Sequence, residues 1–379
     1  MAYKYKHFIP QNIAPKGAKN IEVYKDNKKL LTIPLGNLAP PKTDPLYSFG
    51  LLSDVHMMAN SNGGNALSDA NGFGRYPNGT KFHKILTFFE NQGVNFCCIS
   101  GDLTNIGFWK SKDATAIYTD QFAEYKQIIE RHPNLPVYGI CGNHESYYKN
   151  ITENLTELES YSGHSLNYTI AQGNDLFIFV GQNTPTTPMT DEALSWLETT
   201  LESNKNKRCF IFVHSVVDNN DSGTRFGYYS NMTFDWWGTK KTTFINMLNN
   251  YENAILFHGH THMSFEAQTI VEDIIYSTSL GFKSIHIPSI YYVRIPDTVN
   301  EKLKEAEGAE GYIVDVYANY IVLNGYRFAE PNYDTNPAYS GTTWNDIPIP
   351  VPLATYKIDT TIQTIEANTF TDSTGIIKT

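Results

Sequence analysis

The sequence predicts an α/β fold in which helices cover both faces of a sheet, and three observations carry that expectation. Short, unbroken apolar runs recur from Tyr47 onward, as YSFGLL, NFCCIS, PVYGIC, LFIFVG, CFIFVH and AILFHG. Between several of them the apolar residues fall at helical spacing. Clusters of glycine, histidine and acidic residues sit at or just beyond the ends of the apolar runs. Strands buried on both faces read as continuous apolar runs, and their alternation with helices belongs to a doubly covered sheet.

The helical stretches justify themselves by period. Phe82, Ile85, Leu86 and Phe89 follow the i, i+3, i+4, i+7 pattern of one buried face. Phe122, Tyr125 and Ile129 repeat it, as do Leu194, Leu197 and Leu201. The last of these is expected to start at an N-cap Thr190, with Asp191 and Glu192 in the first turn. Further on, GYIVDVYANYIVLNGYRF reads as a β-hairpin turning near Ala318 and Asn319.

Three regions are expected along the chain. Residues 1–45 form a small β extension, with two short strands in IEVYKDNKKLLTIPL and a boundary at the Pro-rich stretch Ala39-Pro40-Pro41. Residues 46–330 form the main domain. Residues 331–379 form a Pro/Thr-rich tail, in which Pro331, Pro337, Pro348, Pro350 and Pro352 are expected to interrupt regular structure. The tail is open to three readings: packed on the main domain, linked to a partner, or loose.

Composition narrows the function classes. With 41% hydrophobic and 18% charged residues among 379, the chain can build a sizeable core. A net charge of −10 argues against non-specific binding to nucleic acid or anionic membrane. The first twenty residues lack the apolar stretch of a signal peptide, and no run approaches the roughly 18 apolar residues of a membrane span. The expected location is the cytoplasm, or a phage or surface particle into which the chain assembles. Cys97, Cys98, Cys141 and Cys209 lie in apolar runs and read as reduced core residues. Cys97 and Cys98 are adjacent, so they point to opposite faces of a strand and do not pair.

The chemistry lies in five clusters: Asp54-Val55-His56, Gly101-Asp102-Leu103-Thr104-Asn105, Gly142-Asn143-His144-Glu145, Val213-His214-Ser215 and Gly259-His260-Thr261-His262. Carboxyl ends of strands are where ligands bind in open α/β sheets, so distant clusters can meet at one point. Carboxylates, a carboxamide and imidazoles make a mixed oxygen and nitrogen set suited to manganese, iron, zinc or similar first-row ions. Asp-x-His and His-x-His each send two side chains to the same side of an extended segment. Glycines 101, 142 and 259 are expected to let the chain turn sharply beneath such ions. Any one cluster is weak evidence, and a buried histidine such as His258 is more often a core residue than a ligand. The ordered set of five is specific.

In that order, D-x-H, G-D, G-N-H-E, H and G-H-x-H, the chain resembles the calcineurin-like metallophosphoesterase superfamily from about Tyr47 to Phe328. The resemblance implies a four-layered α/β/β/α sandwich of two mixed sheets flanked by helices. It implies two divalent metal ions, manganese first, with iron, zinc or nickel as alternatives. Asp54, His56 and His262 would bind one ion, Asn143, His214 and His260 the other, and Asp102 would bridge them. His144 would be a catalytic histidine beside the scissile phosphate and not a ligand. Glu145, where many members carry Asp, and Ser215 after His214 depart from the common pattern without removing a ligand.

The expected reaction is hydrolysis of a phosphodiester, a phosphomonoester, or both. Two cations about 3.5–4 Å apart make a bridging hydroxide available near neutral pH and neutralise charge on the phosphoryl oxygens. Asp102 then belongs with His144 among the catalytic residues, His144 protonating the leaving oxygen. Asn105, Tyr147, Tyr148, Arg225, Tyr228 and Tyr229 are candidate substrate contacts by proximity to the clusters, and the Gly/Asn-rich segment after His56 could border the site. The expected partner is a small or exposed phosphoester, and the extension or the tail is open to a protein partner. Two alternatives stand beside this reading: a phage-tail- or surface-associated structural or adhesive protein carrying this domain, and a nucleotide or cyclic-nucleotide phosphodiesterase.

Overall fold

A computed structural model of the chain describes residues 20–25, 28–34, 44–57, 77–105, 114–146, 159–160, 163–217, 237–265, 267, 280–297, 302–332, 346–360, 370–371 and 377–378. Apart from the hairpin of β1 (Asn20–Lys25) and β2 (Lys28–Pro34) and residues 44–45, the N-terminal extension lies outside them.

Two mixed sheets make the body. In the first, β3 (Tyr47–Leu52), β4 (Phe96–Ile99) and β5 (Val137–Gly139) run parallel. β12 (Lys302–Val316) pairs antiparallel with β3, with β13 (Tyr320–Asn332) and with β11 (Tyr292–Asp297), and β13 pairs with β14 (Asp346–Asp359). In the second sheet, β7 (Asp175–Val180), β8 (Arg208–Phe212), β9 (Ala254–His258) and β10 (Lys283–His286) are parallel, and β6 (Asn167–Gln172) pairs antiparallel with β7. A short hairpin of β15 (Phe370–Thr371) and β16 (Ile377–Lys378) follows.

Alternation along these strands creates three cores and therefore four layers. Phe177, Phe210 and Phe257 of the second sheet meet Phe49, Phe96 and Tyr312 of the first in the central core. Phe49 stands edge-on to Phe177 at 5.2 Å and stacks on Phe96 at 5.6 Å, geometries that aromatic quadrupoles favour. The intervening residues face outward. Leu52, Cys97 and Ile99 pack under α1 (Pro77–Asn91) and α2 (Ala114–Glu130). Ile178, Ile211 and Leu256 pack under α4 (Asp191–Glu202) and α5 (Lys240–Leu248). Between these pairs of helices lies α3 (Asn143–Ser146), a single turn. The fold is thus the expected four-layered sandwich. Cys97 joins the outer core and Cys98 the inner one, and all four cysteines are free and buried.

The helix expectations hold with small shifts of face. Thr190 caps α4, its hydroxyl accepting from the Ala193 N–H at 3.2 Å. The most buried residue near the end of α2 is Ile128, with Ile129 only partly covered, and Ala193 lies deeper than Leu194. The expectation that prolines interrupt regular structure after Phe328 does not hold at four of the five positions, and Pro337 lies outside the described residues. β13 runs through Pro331, and Pro348, Pro350 and Pro352 all lie within β14. β14 is the outer strand of its sheet. An edge strand needs donors on one side only, and prolines spaced by two remove donors from a single side.

A buried ion pair anchors the end of the sandwich where β3, β7 and β8 begin. Arg208 approaches Asp175 through Nε at 3.1 Å and Nη2 at 2.5 Å. The Tyr47 hydroxyl donates to the same carboxylate at 2.6 Å, and Arg208 Nη1 reaches the Tyr317 carbonyl and the Thr360 hydroxyl. Both charges are about 95% covered. Arg208→Met leaves Asp175 buried without its cation, and the expected loss is about 3–5 kcal/mol in urea unfolding.

Candidate metal centre

The five clusters meet where the carboxyl ends of β3, β4, β5, β8 and β9 converge. Backbone bonds continue between the loops beyond the strands: Asp54 N–H to Gly101 O (3.1 Å), His56 N–H to Asp102 O (2.8 Å) and Gly259 N–H to His214 O (3.0 Å). The rim is therefore a ladder of linked turns.

Among the described residues, positive φ outside glycine occurs at Asp54 (55°), His56 (47°), Asp102 (50°), His260 (71°) and His262 (57°). All five belong to the ligand set the sequence suggested. Left-handed backbone at residues with a Cβ costs about 1–3 kcal/mol each and persists where surroundings enforce it, often at functional sites. The glycines act less uniformly than expected. Gly101 has φ +90°, as a sharp turn requires. Gly142 carries no such angle and serves by close approach, since a Cβ there would overlap the Asp102 carboxylate.

The buried side chains form a continuous chain of contacts. Asp54 Oδ2 accepts the His260 N–H at 3.0 Å, and Asp102 Oδ1 accepts the His144 N–H at 3.0 Å. His262 Nε2 lies 3.1 Å from Asp54 Oδ1 and 3.2 Å from His56 Nε2. His214 Nε2 lies 3.1 Å from Asp102 Oδ2, 3.0 Å from Asn143 Oδ1 and 3.2 Å from His260 Nδ1. Among the described residues, three groups have ligand atoms within 4.8 Å of one another: Asp54, His56 and His262; His56, Asp102 and His144; Asp102, His214 and His260.

The outer nitrogens fix what the inner ones present. His214 Nδ1 lies 2.7 Å from the Ser100 carbonyl and His262 Nδ1 lies 3.1 Å from the Tyr292 carbonyl. A carbonyl only accepts, so Nδ1 carries the proton and Nε2 of the neutral ring offers a lone pair inward. Asn105 Oδ1 stands in the same relation to His56 Nδ1 at 3.0 Å. Asp54 Oδ1 is buried, and while the His262 ring beside it is neutral no described group donates to it. Lone pairs thus face one another at about hydrogen-bond distance, an arrangement relieved by protonation or by a cation.

Among protein groups alone, protonation supplies the relief. Burial lowers His214, but the Asp102 carboxylate outweighs it and pushes the pKa up to about 9. His262 is raised likewise, Asp54 overcoming burial. Burial would raise both aspartates, yet the imidazoles hold Asp54 and Asp102 below the usual carboxylate range. His144 and His260 are pulled down to about 3, chiefly by burial. Inward lone pairs, an orphaned carboxylate oxygen and a mixed oxygen and nitrogen donor set fit divalent first-row cations.

The structure thus brings together Asp54, His56, Asp102, Asn143, His144, His214, His260 and His262. Asn105 lies behind His56, 2% exposed, with its N–H donating to Gln121 Oε1. Tyr147, Tyr148, Arg225, Tyr228, Tyr229 and the segment after Met57 lie outside the described residues. Sequence reasoning passed over several supports. Glu145 accepts the N–H groups of Thr104 and Gly142, both at 2.7 Å, tying two clusters together. Burial and Asp102 lift its pKa to about 7 against those bonds. The Tyr292 ring stacks on His262 at 4.1 Å and the Tyr291 ring lies 4.9 Å from His56. Buried Lys81 donates to the Tyr291 carbonyl at 2.7 Å. Tyr291 and Tyr292 are about thirty residues beyond the last cluster, and nothing but an aromatic pair in an apolar run marks them in the sequence.

The calcineurin-like phosphoesterase pattern matches residues 47–264, more than half the chain, and the protein belongs to that family. The family is one of dimetal-dependent phosphoester hydrolases, and the buried histidine and aspartate groups are candidates to hold such ions. Similar solved structures include a dimetal phosphatase from Danio rerio, 14% identical over 75% of this chain and 96% of that one, with a TM-score of 0.49. Vacuolar Protein Sorting 29 from Cryptosporidium parvum is 10% identical over 83% of this chain and 100% of that one, with a TM-score of 0.35. Vps29 from Chaetomium thermophilum is 11% identical over 83% and 96%, with a TM-score of 0.33. No curated protein matches the sequence. Among the described residues, no helix is long and apolar enough to cross a membrane.

Asp102 enters two of the three ligand groups, so its loss removes a donor from both at once. Asp102→Ala is expected to retain less divalent cation than the parent after reloading with Mn2+, read by elemental analysis on folded protein.

Proposed function

We propose that the protein hydrolyses phosphodiesters or phosphomonoesters of small or exposed substrates at a pair of divalent cations. Asp54, His56 and His262 would hold one, Asn143, His214 and His260 the other, and Asp102 would lie between them. The observation that carries this reading is a run of three overlapping ligand groups, joined first at His56 and then at buried Asp102, on loops whose described left-handed residues other than glycine are all in the donor set. Manganese is the first candidate, with iron, zinc and nickel compatible with the same donors. The cations, when bound, would supply Lewis acidity toward the phosphoryl oxygens and toward water.

The chain's own groups do the rest. The carbonyls of Ser100 and Tyr292 and the Asn105 amide hold three imidazole planes, so no rotamer search precedes binding. His144 presents its backbone N–H to Asp102, and its ring stands nearly perpendicular to that of His56, with centroids 4.4 Å apart. Its Nε2 is 3.9 Å from Asp102 Oδ2, the longest of the imidazole contacts to that carboxylate. At 9% exposure it keeps some access to solvent. Those features support a proton donor to the departing oxygen over a ligand, the anionic phosphoester supplying the negative charge that a ring otherwise held neutral by burial needs before it takes up a proton, although His144 also falls within the middle ligand group.

The test is turnover of monoesters, diesters and cyclic nucleotides after reloading with Mn2+, Zn2+, Fe2+, Ni2+ or Mg2+. Absence of turnover across that panel by a metal-loaded protein would overturn the proposal. His144→Asn is expected to keep its cations and lose rate. The loss should be greatest for alkyl esters and smaller for nitrophenyl esters, whose leaving group scarcely needs a proton. Equal losses across leaving groups of graded pKa would point to charge stabilisation instead.

A further inference from the structure

We propose that Thr261 and His286 act as a positioning pair that sets how tightly the Gly259–His262 turn holds its cations. The inference rests on the metal-pair reading above and extends it to two residues outside the donor set.

The turn is held from an unusual direction. Thr261 sits between His260 and His262, both left-handed, and is itself 1% exposed. Its hydroxyl lies 2.6 Å from His286 Nε2, reaching across to the last residue of β10. His286 is paired in register with His258, the residue that leads into the turn. The Thr261 carbonyl accepts from Arg294 Nη1 at 2.7 Å, and its N–H donates to Gly259 O at 2.9 Å. Every polar group of Thr261 is therefore engaged, the carbonyl by the Arg294 side chain of β11 and the hydroxyl by the His286 side chain of β10.

Geometry gives that bond leverage. Strain in two residues is released by small rotations of the peptides between them, and those peptides belong to Thr261. A rotation there moves both His260 and His262, which the metal-pair reading assigns to different cations. Loss of a partner bonded to a ligating side chain typically costs about 10–100-fold in metal affinity, and a contact that sets the backbone of two ligands is expected to act on the same scale. A contact outside the donors would thus bear on both sites at once.

The experiment titrates Mn2+ into metal-stripped full-length parent, Thr261→Val, Thr261→Ser, His286→Leu and the Thr261→Val/His286→Leu double variant. Thermal unfolding of each stripped protein is recorded alongside. Thr261→Val is expected to bind Mn2+ about 10–100-fold more weakly at both sites, with a stripped-form Tm close to the parent's. Thr261→Ser, which keeps the hydroxyl, should bind as the parent does. His286→Leu should weaken binding comparably, and the double variant no further, because the two residues share one interaction. Should Thr261→Val fail to fold, Thr261→Ala takes its place in the cycle.

A parent that takes up no Mn2+ overturns both readings. A parent that binds two ions, beside a Val or Ala variant that binds as tightly, overturns this one alone. Losses that add in the double variant, or a Ser variant as weak as Val, also overturn it.

Discussion

Two carboxylates with almost no access to water set the terms for the whole rim. Asp54 and Asp102 are at most 1% exposed, and a charge so placed costs several kcal/mol unless it is met by donors or opposite charge. The partners come from different parts of the chain. The His260 N–H serves Asp54, the His144 N–H serves Asp102, and His262 and His214 stand against the two side chains. No local segment could supply them all. Convergence of loops from both sheets is what makes burial of the two aspartates possible, and the aromatic core between the sheets fixes that convergence.

Strain is the second cost. Five left-handed residues at about 1–3 kcal/mol each amount to much of the roughly 5–15 kcal/mol net stability of a typical domain. The rim offsets it by linking turn to turn with backbone bonds, and by Glu145, which clamps the Thr104 and Gly142 amides together. The result is a set of donor atoms held in place by covalent and hydrogen-bonded constraint. Preorganisation of that kind leaves less ordering to be done when a ligand arrives.

What was legible in the sequence was local. Continuous apolar runs announced the parallel strands because both their faces are covered. Thr190 with its acidic neighbours announced the start of α4, and the five clusters were recognisable because their order along the chain is specific. Long-range consequences were not legible. β14 was hidden by its prolines, whose tolerance depends on an edge position that only the sheet order reveals. The supports of the site were hidden too. Glu145 looks like a variant motif residue until Thr104 is seen beside it, and His286 lies 25 positions from the threonine it touches. Such pairings are set by strand register, which no short window encodes.

The two ends of the same strands handle buried charge in different ways, and the contrast bears on function. Where β3, β7 and β8 begin, Asp175 meets Arg208, a cation that stays protonated and binds in a fixed fork. Nothing there needs to exchange, and the Tyr47 hydroxyl completes the shell. Where β3 and β8 end, the aspartates meet imidazoles, whose protons come and go and whose nitrogens can donate a lone pair instead. An arginine in place of His214 or His262 would neutralise the same charge with more certainty, but it could not serve as a ligand. Structural neutralisation alone would favour the guanidinium, whereas imidazoles at that end suit a counter-charge that can be replaced.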